Sequence, residues 1–288
     1  MIFNKPRFTI RSAVEQDTQQ LANLIHFELR VHRHLDWRPP LEWIGRHPYL
    51  VAEQSGKIVS ALACPPDPPE VAWIRLFAVA DGVPYTSAWG ELWLAARAEL
   101  SNSDLRINSA VIPLQNWFQK LLEKSAFACT HHVVVLAWKG EPLSPPRDIS
   151  PALIRQMSQE DLPRVGSIDH EAFTMLWRHS QYSLSMALSQ ASIATVVSIS
   201  GELVGYQIST WTTGGAHLAR LAVKPQFQGI GIGYALLQDL LSRLSQRGIQ
   251  YVTVNTQHNN LVSLALYKKA GFKLTGETYP VYEEQIVD

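Results

Sequence analysis

Apolar and polar positions follow two different periods in the second half of the chain. Ile193–Ile199 and Leu203–Thr210 alternate around a Ser-Gly turn, which predicts a β-hairpin. Leucines between positions 236 and 244 recur with helical spacing. They predict a helix over Gly231–Arg247, which Gly248 ends.

The remaining segments of this half complete an order of strands and helices. Ser158 followed by Asp161 is a capping signal for a helix that ends near Phe173. Further predicted elements are the strands Ala152–Gln156, Ala216–Val223 and Tyr251–Thr256, and a helix Asn260–Ala270. Strand–helix alternation with hairpins predicts an α/β fold of the α+β kind with a mixed sheet.

The first half of the chain repeats the second half at an almost constant distance. Three segments show the match, at 144 or 145 residues: 55–59 with 200–204, 76–79 with 220–223, and 123–127 with 268–272. A period of this length is typical of a tandem duplication and not of a solenoid. We therefore expect one domain at 1–140 and another at 151–288, joined by a proline-rich linker at 141–150.

Composition excludes several classes of protein. Hydrophobic residues make up 46% and charged residues 17%, so disorder is not expected. The formal net charge is zero, which argues against a nucleic-acid partner. Cys64 and Cys129 are too few for a disulfide scaffold or a zinc site, and we expect no metal.

We also expect no membrane partner and a cytoplasmic location, since no apolar run has bilayer length and residues 1–7 lack a signal-peptide core. Oligomerisation stays open.

A glycine-rich loop follows the strand 216–223 and leads into the long helix. Its glycines let backbone N–H groups approach a ligand, and the start of the helix adds free donors and a partial positive charge. Such a loop suits a pyrophosphate. A dinucleotide-binding G-x-G-x-x-G would need glycine at Tyr234, and the Gly-Lys-Ser/Thr of a P-loop is absent. The structural alternative is a turn that merely begins a helix.

Two motifs resemble those of the GCN5-related N-acetyltransferase (GNAT) family. Gln228–Gly233 matches the Q-x-x-G-x-G acyl-CoA loop. Asn260–Phe272 is similar to the second motif, N-x-x-[AS]-x-x-L-Y-x-x-x-G-F. At fold level the resemblance covers about 150–288, while its sharp motifs cover only about 220–272. It implies two tandem acyl-CoA N-acyltransferase (GNAT) folds.

The resemblance also implies a function and a set of site residues. The protein would be an acyl-CoA-dependent N-acetyltransferase that uses acetyl-CoA on a primary amine, either a protein N-terminus or a small molecule. Acetyl-CoA would lie in a wedge where the strands 216–223 and 251–256 splay apart. The implied binding residues are Leu221, Ala222 and Val223 for pantetheine and thioester, Gln228, Gly229, Ile230, Gly231, Ile232 and Gly233 for the pyrophosphate, and Asn260 for the pantetheine arm or the sulfur region. Tyr267 would protonate the leaving thiolate.

The general base is where the sequence departs from the nearest subfamily. Residues 255–272 look like the ribosomal-protein N-terminal-alanine acetyltransferases, which carry a glutamate twelve residues before the tyrosine. Asn255 stands at that position and cannot act as a base. His217, His258 and Tyr279 are substitutes, each with a structural reading as well. A non-catalytic acyl-CoA-binding or regulatory protein is therefore the alternative function.

The first half lacks the site residues of the second. By the same distances, Pro84 replaces Gln228, Ser87 replaces Gly231, Trp89 replaces Gly233, Gln115 replaces Asn260 and Leu122 replaces Tyr267. Proline removes a backbone donor where donors are needed. We expect a degenerate GNAT domain here. Its stretch 31–40 contains histidines and an aspartate without a strong metal-ligand spacing, and is predicted to be a polar loop.

Overall fold

The computed structural model describes residues 8–142 and 149–286. The chain forms two compact units: the N-terminal unit, residues 1–130 with 280–288, and the C-terminal unit, residues 131–279. The final segment of the chain thus belongs to the N-terminal unit. Residues 143–148 of the predicted linker and the segment 1–7 lie outside the described residues, and the boundaries at 140 and 151 stay predictions.

The N-terminal unit contains a five-stranded sheet. Its helices are α1 (Thr18–Phe27), α2 (Tyr85–Ser101) and α3 (Asn116–Leu122). Its strands are β1 (Thr9–Ser12), β2 (Arg30–Arg33), β3 (Tyr49–Gln54), β4 (Lys57–Ala63), β5 (Val71–Trp73), β6 (Leu76–Val79) and β7 (Asn108–Val111), with the end of β14 (Lys273–Gln285). The sheet has the order β1-β3-β4-β6-β2. Strand β5 pairs in parallel with β7, and β7 pairs with the end of β14.

The C-terminal unit is a mixed sheet with helices, as predicted. Its helices are α4 (Leu162–Ala172), α5 (Gln181–Gln190), α6 (Ile232–Ser245) and α7 (Leu261–Lys269). Its other strands are β8 (Ala128–Trp138), β9 (Ala152–Gln156), β10 (Ile193–Ile199), β11 (Glu202–Thr212), β12 (Gly215–Val223) and β13 (Val252–Gln257). They follow the order β8-β13-β12-β11-β10-β9, and only β12 and β13 are parallel among these pairs. Helices α6 and α7 pack on β12 and β13 through one apolar cluster.

The boundaries predicted from hydrophobic periodicity are close to those observed. Strands β9 and β10 have the predicted limits, and α6 begins at Ile232 because Gly231 adopts a φ of +106°. The sequence does not predict helix α5, since its buried apolar side chains are few, with Leu184 and Ala187 among them. Ser180 caps that helix by accepting a hydrogen bond from the backbone N–H of Ser183 at 3.1 Å.

The duplication is visible in strand register as well as in sequence. A bulge between Ala52 and Glu53 on β3 recurs between Val197 and Ser198 on β10. Two further features recur: serines with positive φ at Ser55 and Ser200, and ion pairs Arg11–Asp17 and Arg155–Asp161 with N–O distances of 2.6 and 2.7 Å. Positions 144 or 145 residues apart can therefore be compared one to one.

The predicted polar loop at 31–40 is wrong at its start, because residues 30–33 form β2. His32 is buried, and its Nε2 lies 3.1 Å from the carbonyl oxygen of Ile74. Its ring lies against Phe118, with centroids 4.7 Å apart. These neighbours are distant in sequence, so local composition does not report them.

Burial of His32 predicts a loss of stability in mild acid. It lowers the pKa of the imidazole from 6.5 to about 4, against a smaller opposite effect of the Ile74 carbonyl. The unfolded chain therefore binds a proton below pH 6.5 that the folded chain binds only near pH 4. By linkage, this group destabilises the fold by about 3 kcal/mol as the pH falls through that window. Urea unfolding at pH 7 and pH 5 measures the effect, which His32→Gln should reduce; an identical pH dependence in the variant would contradict it.

Candidate functional site

The two parallel strands of the C-terminal unit separate part-way along their length. Their pairing runs from Ala216 opposite Val252 to Leu218 opposite Val254 and stops there. Strand β12 continues to Val223, and β13 continues to Gln257. Among the described residues no strand pairs with this side of β12 after Leu218, so the edge there is free, as the wedge expected from the sequence requires.

The register with β11 decides which backbone groups lie on this free edge. The N–H of Lys224 donates to the carbonyl of Val204 at 2.8 Å. Because hydrogen-bonded pairs alternate in an antiparallel ladder, the backbone groups of Leu221 and Val223 point away from β11. Those of Ala222 point toward Tyr206 on β11 instead.

The glycine loop, residues 228–233, lies between the free edge of β12 and the start of helix α6. Gly229 and Gly231 have φ values of +78° and +106°, a region that L side chains rarely adopt. Within the described part of the chain, the N–H groups of 229–233 have no hydrogen-bond acceptor, and the first helical bond runs from Ala235 to Gly231 at 3.0 Å. The N–H of Gln228 donates to Pro225, and its side chain donates to the Val223 carbonyl at 2.9 Å. Converging free donors at a helix start can hold a phosphate.

Asn260 and Tyr267 lie at the two ends of helix α7. Asn260 caps the helix, with Oδ1 accepting from the N–H of Ser263 at 3.1 Å. Tyr267 is 5% exposed and packs against Phe272. Burial raises the pKa of the Tyr267 hydroxyl, and the positive charge of Arg220 acts in the opposite direction. The phenol therefore keeps its proton at physiological pH and can serve as a proton donor.

The opposite face of β12 and β13 carries the residue best suited to act as a base. Leu218 and Val254 face the α6 core, so His217, Thr253 and Asn255 point to the other face. The Nδ1 of His217 lies 2.9 Å from Oγ1 of Thr253. Burial lowers the pKa of His217, which keeps the imidazole neutral and able to accept a proton. Asn255 is exposed on this face.

The other two substitutes have less favourable surroundings. His258 is exposed, and its ring lies edge-on to His132 at 5.6 Å. The hydroxyl of Tyr279 donates to Glu277 at 3.0 Å, which raises the pKa of the tyrosine. His217 is thus the candidate that combines a neutral state with a place on the splayed strands.

A buried polar network on the same face is not predicted by the sequence. Asp169 on α4 is fully buried and accepts from Nε of Arg220 at 2.8 Å and from the hydroxyl of Tyr206. The Arg220 guanidinium stacks on Phe173, 3.5 Å from the ring centre. One feature of the sequence indicates this network. Asp169 lies on the buried stripe of α4, at a position where helical periodicity predicts an apolar residue.

In the N-terminal unit the corresponding edge is occupied by the chain itself. Phe77 and Val79 of β6 correspond to Leu221 and Val223. They pair with β2, at His32 opposite Phe77 and at Arg30 opposite Val79.

The space above that edge is also filled. A Cβ placed on Gly233 would lie 3.5 Å from Leu266, an ordinary contact. The packing of the fold therefore does not require glycine at this position, and the missing side chain leaves open space. At the corresponding position Trp89 is buried, and its indole packs edge-on to Phe77 with centroids 5.1 Å apart. Strand β2 and this indole together remove the room for a ligand.

Comparison with known proteins agrees with this geometry. The acetyltransferase (GNAT) family profile matches residues 159–272. An uncharacterised N-acetyltransferase of Methanocaldococcus jannaschii is 30% identical over 126 residues, covering 42% of this chain and 78% of that protein. The chain belongs to the GNAT acetyltransferase family. It is therefore an N-acetyltransferase, which confirms the expected enzyme class.

Further similar proteins include a curated relative and two solved structures. The ribosomal protein bS18 alanine N-acetyltransferase of Escherichia coli is 25% identical over 119 residues, covering 41% of this chain and 79% of that one. A GCN5-related N-acetyltransferase from Sphaerobacter thermophilus has a TM-score of 0.61 at 19% identity, covering 98% of this chain and 96% of its own. A tandem GNAT protein from the clavulanic acid biosynthesis pathway has a TM-score of 0.63 at 14% identity, covering 98% and 99%. The expected tandem GNAT fold is confirmed.

The described residues of this GNAT protein contain neither a membrane-spanning helix nor a cluster of metal ligands. In that part of the chain, no helix is both long and apolar enough to cross a membrane. No group of three or more histidine, cysteine, aspartate or glutamate side chains there is arranged to hold a metal ion.

Proposed function

We propose that the C-terminal unit transfers the acetyl group of acetyl-CoA to a primary amine. The observation that carries this proposal is the continuity of two features, the free edge of β12 and the free N–H groups of 229–233. An extended pantetheine arm can bond the edge at Leu221 and Val223 as a strand would, and a pyrophosphate can accept the loop donors. The two sites follow each other along the chain in the order that one CoA molecule needs.

The protein's own groups supply positioning and proton transfer. Acetyl-CoA, when bound, supplies a thioester whose carbonyl carbon the amine attacks. Neutral His217 accepts the proton that the attacking amine loses. Tyr267 donates its proton to the sulfur as the carbon–sulfur bond breaks. Leu221 and Val223 hold the arm in register, so that attack takes place within an oriented complex.

Two observations bear on the identity of the acceptor amine: the substrate of a relative and the residue at position 255. A curated relative acts on the alanine of a ribosomal protein, which favours a protein N-terminus. This chain has Asn255 where that subfamily has a glutamate. Similarity to the subfamily therefore does not by itself assign the same acceptor to this chain. A small-molecule amine is therefore the second candidate.

An acceptor panel tests the proposal. The purified full chain is incubated with acetyl-CoA and, separately, with alanine-starting peptides, N-terminally blocked lysine peptides and small primary amines. We expect free thiol and an acetylated amine in equal amounts for one class. Binding of CoA without thiol release from any amine would instead support the alternative, an acyl-CoA-binding regulatory protein.

A further inference from the structure

The network of Asp169, Tyr206 and Arg220 lies on the face of β12 and β13 opposite α6, here called the acceptor face, and it holds a segment of backbone in place. Arg220 donates from Nη2 to the carbonyl of Trp177 at 2.6 Å, and Asp169 accepts from the N–H of His179 at 2.9 Å. Both groups belong to residues 174–179, here called the acceptor-side segment. This segment contains a short 3-10 turn and connects α4 to α5. Its position thus depends on a buried ion pair of which neither member is a proposed acid or base.

The N-terminal unit has apolar residues at the same three positions. By the register of the duplication, Asp169, Tyr206 and Arg220 correspond to Ile25, Ala61 and Leu76. These three residues belong to a single apolar cluster. None of these three side chains is polar, so none can hold a neighbouring segment by an ion pair; the link to β2 here is a hydrogen bond from Arg33 to the backbone carbonyl of Ile25.

The corresponding segment of the N-terminal unit takes a different course. Residues 30–33 correspond to 174–178, because α1 begins 144 residues before α4 and ends 145 residues before it. They form β2 and cover the edge of β6. In the C-terminal unit the same stretch is a turn, and the edge of β12 stays free. The duplication therefore shows both arrangements, one with the network and one without it.

We propose that Asp169, Tyr206 and Arg220 form a positioning device that keeps the acceptor-side segment out of the acetyl-CoA slot. A strand on the β12 edge would satisfy the backbone N–H and C=O of Leu221 and the N–H of Val223, whose carbonyl already accepts from Gln228, so the slot attracts the chain's own backbone. The network opposes this, because moving the segment removes two backbone partners from a buried ion pair. The device rests on the proposed acetyl-CoA function, and Arg220 acts through the segment without touching the reacting atoms.

The test replaces the network with the residues of the first half. Asp169→Ile with Arg220→Leu removes both charges together, so neither is left unpaired. Hydrogen exchange in the absence of CoA is followed at Leu221 and Val223. We expect slower exchange at these amides in the double variant than in the natural protein, because the segment pairs with them. We also expect CoA to bind at least tenfold more weakly, with KM raised more than kcat is lowered.

Two controls separate the proposal from simple destabilisation. Tyr206→Phe keeps the ring and removes one hydrogen bond to Asp169, so its effects should lie between those of the natural protein and the double variant. The buried pair Asp36–Arg75 of the N-terminal unit has an N–O distance of 2.7 Å. Replacing both of its members with leucine should leave CoA affinity and exchange at the β12 edge unchanged.

The outcomes decide the proposal without depending on catalysis. Faster or unchanged exchange at Leu221 and Val223 in the double variant would overturn it, as would CoA affinity within twofold of the natural protein. If the double variant does not fold, the Tyr206→Phe exchange data decide in the same way. A natural protein that binds no CoA would overturn the proposed function, while the exchange measurement would still report on the segment.

Discussion

Replacement of His217 by glutamine is expected to lower kcat/KM by about 10²–10⁴-fold, the range that loss of a general base causes. Burial lowers the pKa of His217, so the base is neutral above pH 6.5 and becomes protonated only in more acidic solution. The natural enzyme should therefore lose activity as the pH falls through a pKa below 6.5. In the variant the part of the acidic limb that His217 causes should disappear, which leaves only the rise with pH that deprotonation of the acceptor amine causes.

The amide of glutamine can still donate a hydrogen bond to the hydroxyl of Thr253, which itself donates to the Ala216 carbonyl, so the strands should keep their spacing. CoA affinity is the control, and we expect it to change less than threefold. An unchanged pH profile in His217→Gln would show that another group takes the proton. His258→Gln, at an exposed position, then serves as the comparison variant.

Replacement of Tyr267 by phenylalanine is expected to lower kcat by about 10²–10³-fold, within the range for loss of a general acid. The ring keeps its packing against Phe272, and only the hydroxyl is removed. Burial raises the pKa of this hydroxyl, so its protonation should not limit the rate near neutral pH. Single-turnover kinetics with acetyl-CoA measure the change directly.

A matched control separates the effect of losing the Tyr267 hydroxyl from the effect of a disturbed fold. Tyr206 is also buried and also has a raised pKa, but its hydroxyl bonds to Asp169 on the acceptor face. Tyr206→Phe should affect CoA affinity more than the rate of acetyl transfer, whereas Tyr267→Phe should do the reverse. Equal kcat for Tyr267→Phe and the natural enzyme would exclude the tyrosine as the proton donor.

The sequence predicts the parts of this fold that local chemistry determines. Alternation gives β10, the leucine period gives α6, and the loop motif locates the positive-φ residues Gly229 and Gly231. The duplication can also be recognised from the sequence alone, because matching segments stay 144 or 145 residues apart. The proposed CoA-binding segment could therefore be located before any coordinates were known.

Long-range contacts explain what the sequence does not predict. Whether 30–33 forms a loop or a strand depends on the free edge of β6, a property of distant residues. Asp169 and Arg220 are 51 positions apart, and neither belongs to a motif. Selection of His217 among three candidate bases depends on burial, which spacing alone does not report.

The most direct test of the central claim is a calorimetric titration with coenzyme A. We expect one CoA per chain for the natural protein because, in the described parts of the chain, the edge of β12 is free and the corresponding edge of β6 is covered by β2. Gly233→Trp places in the second half the residue that fills the first, and should abolish binding. Gly90→Trp, an exposed change of the same size, should leave binding intact. Two CoA molecules per chain, or normal binding by Gly233→Trp, would contradict the account.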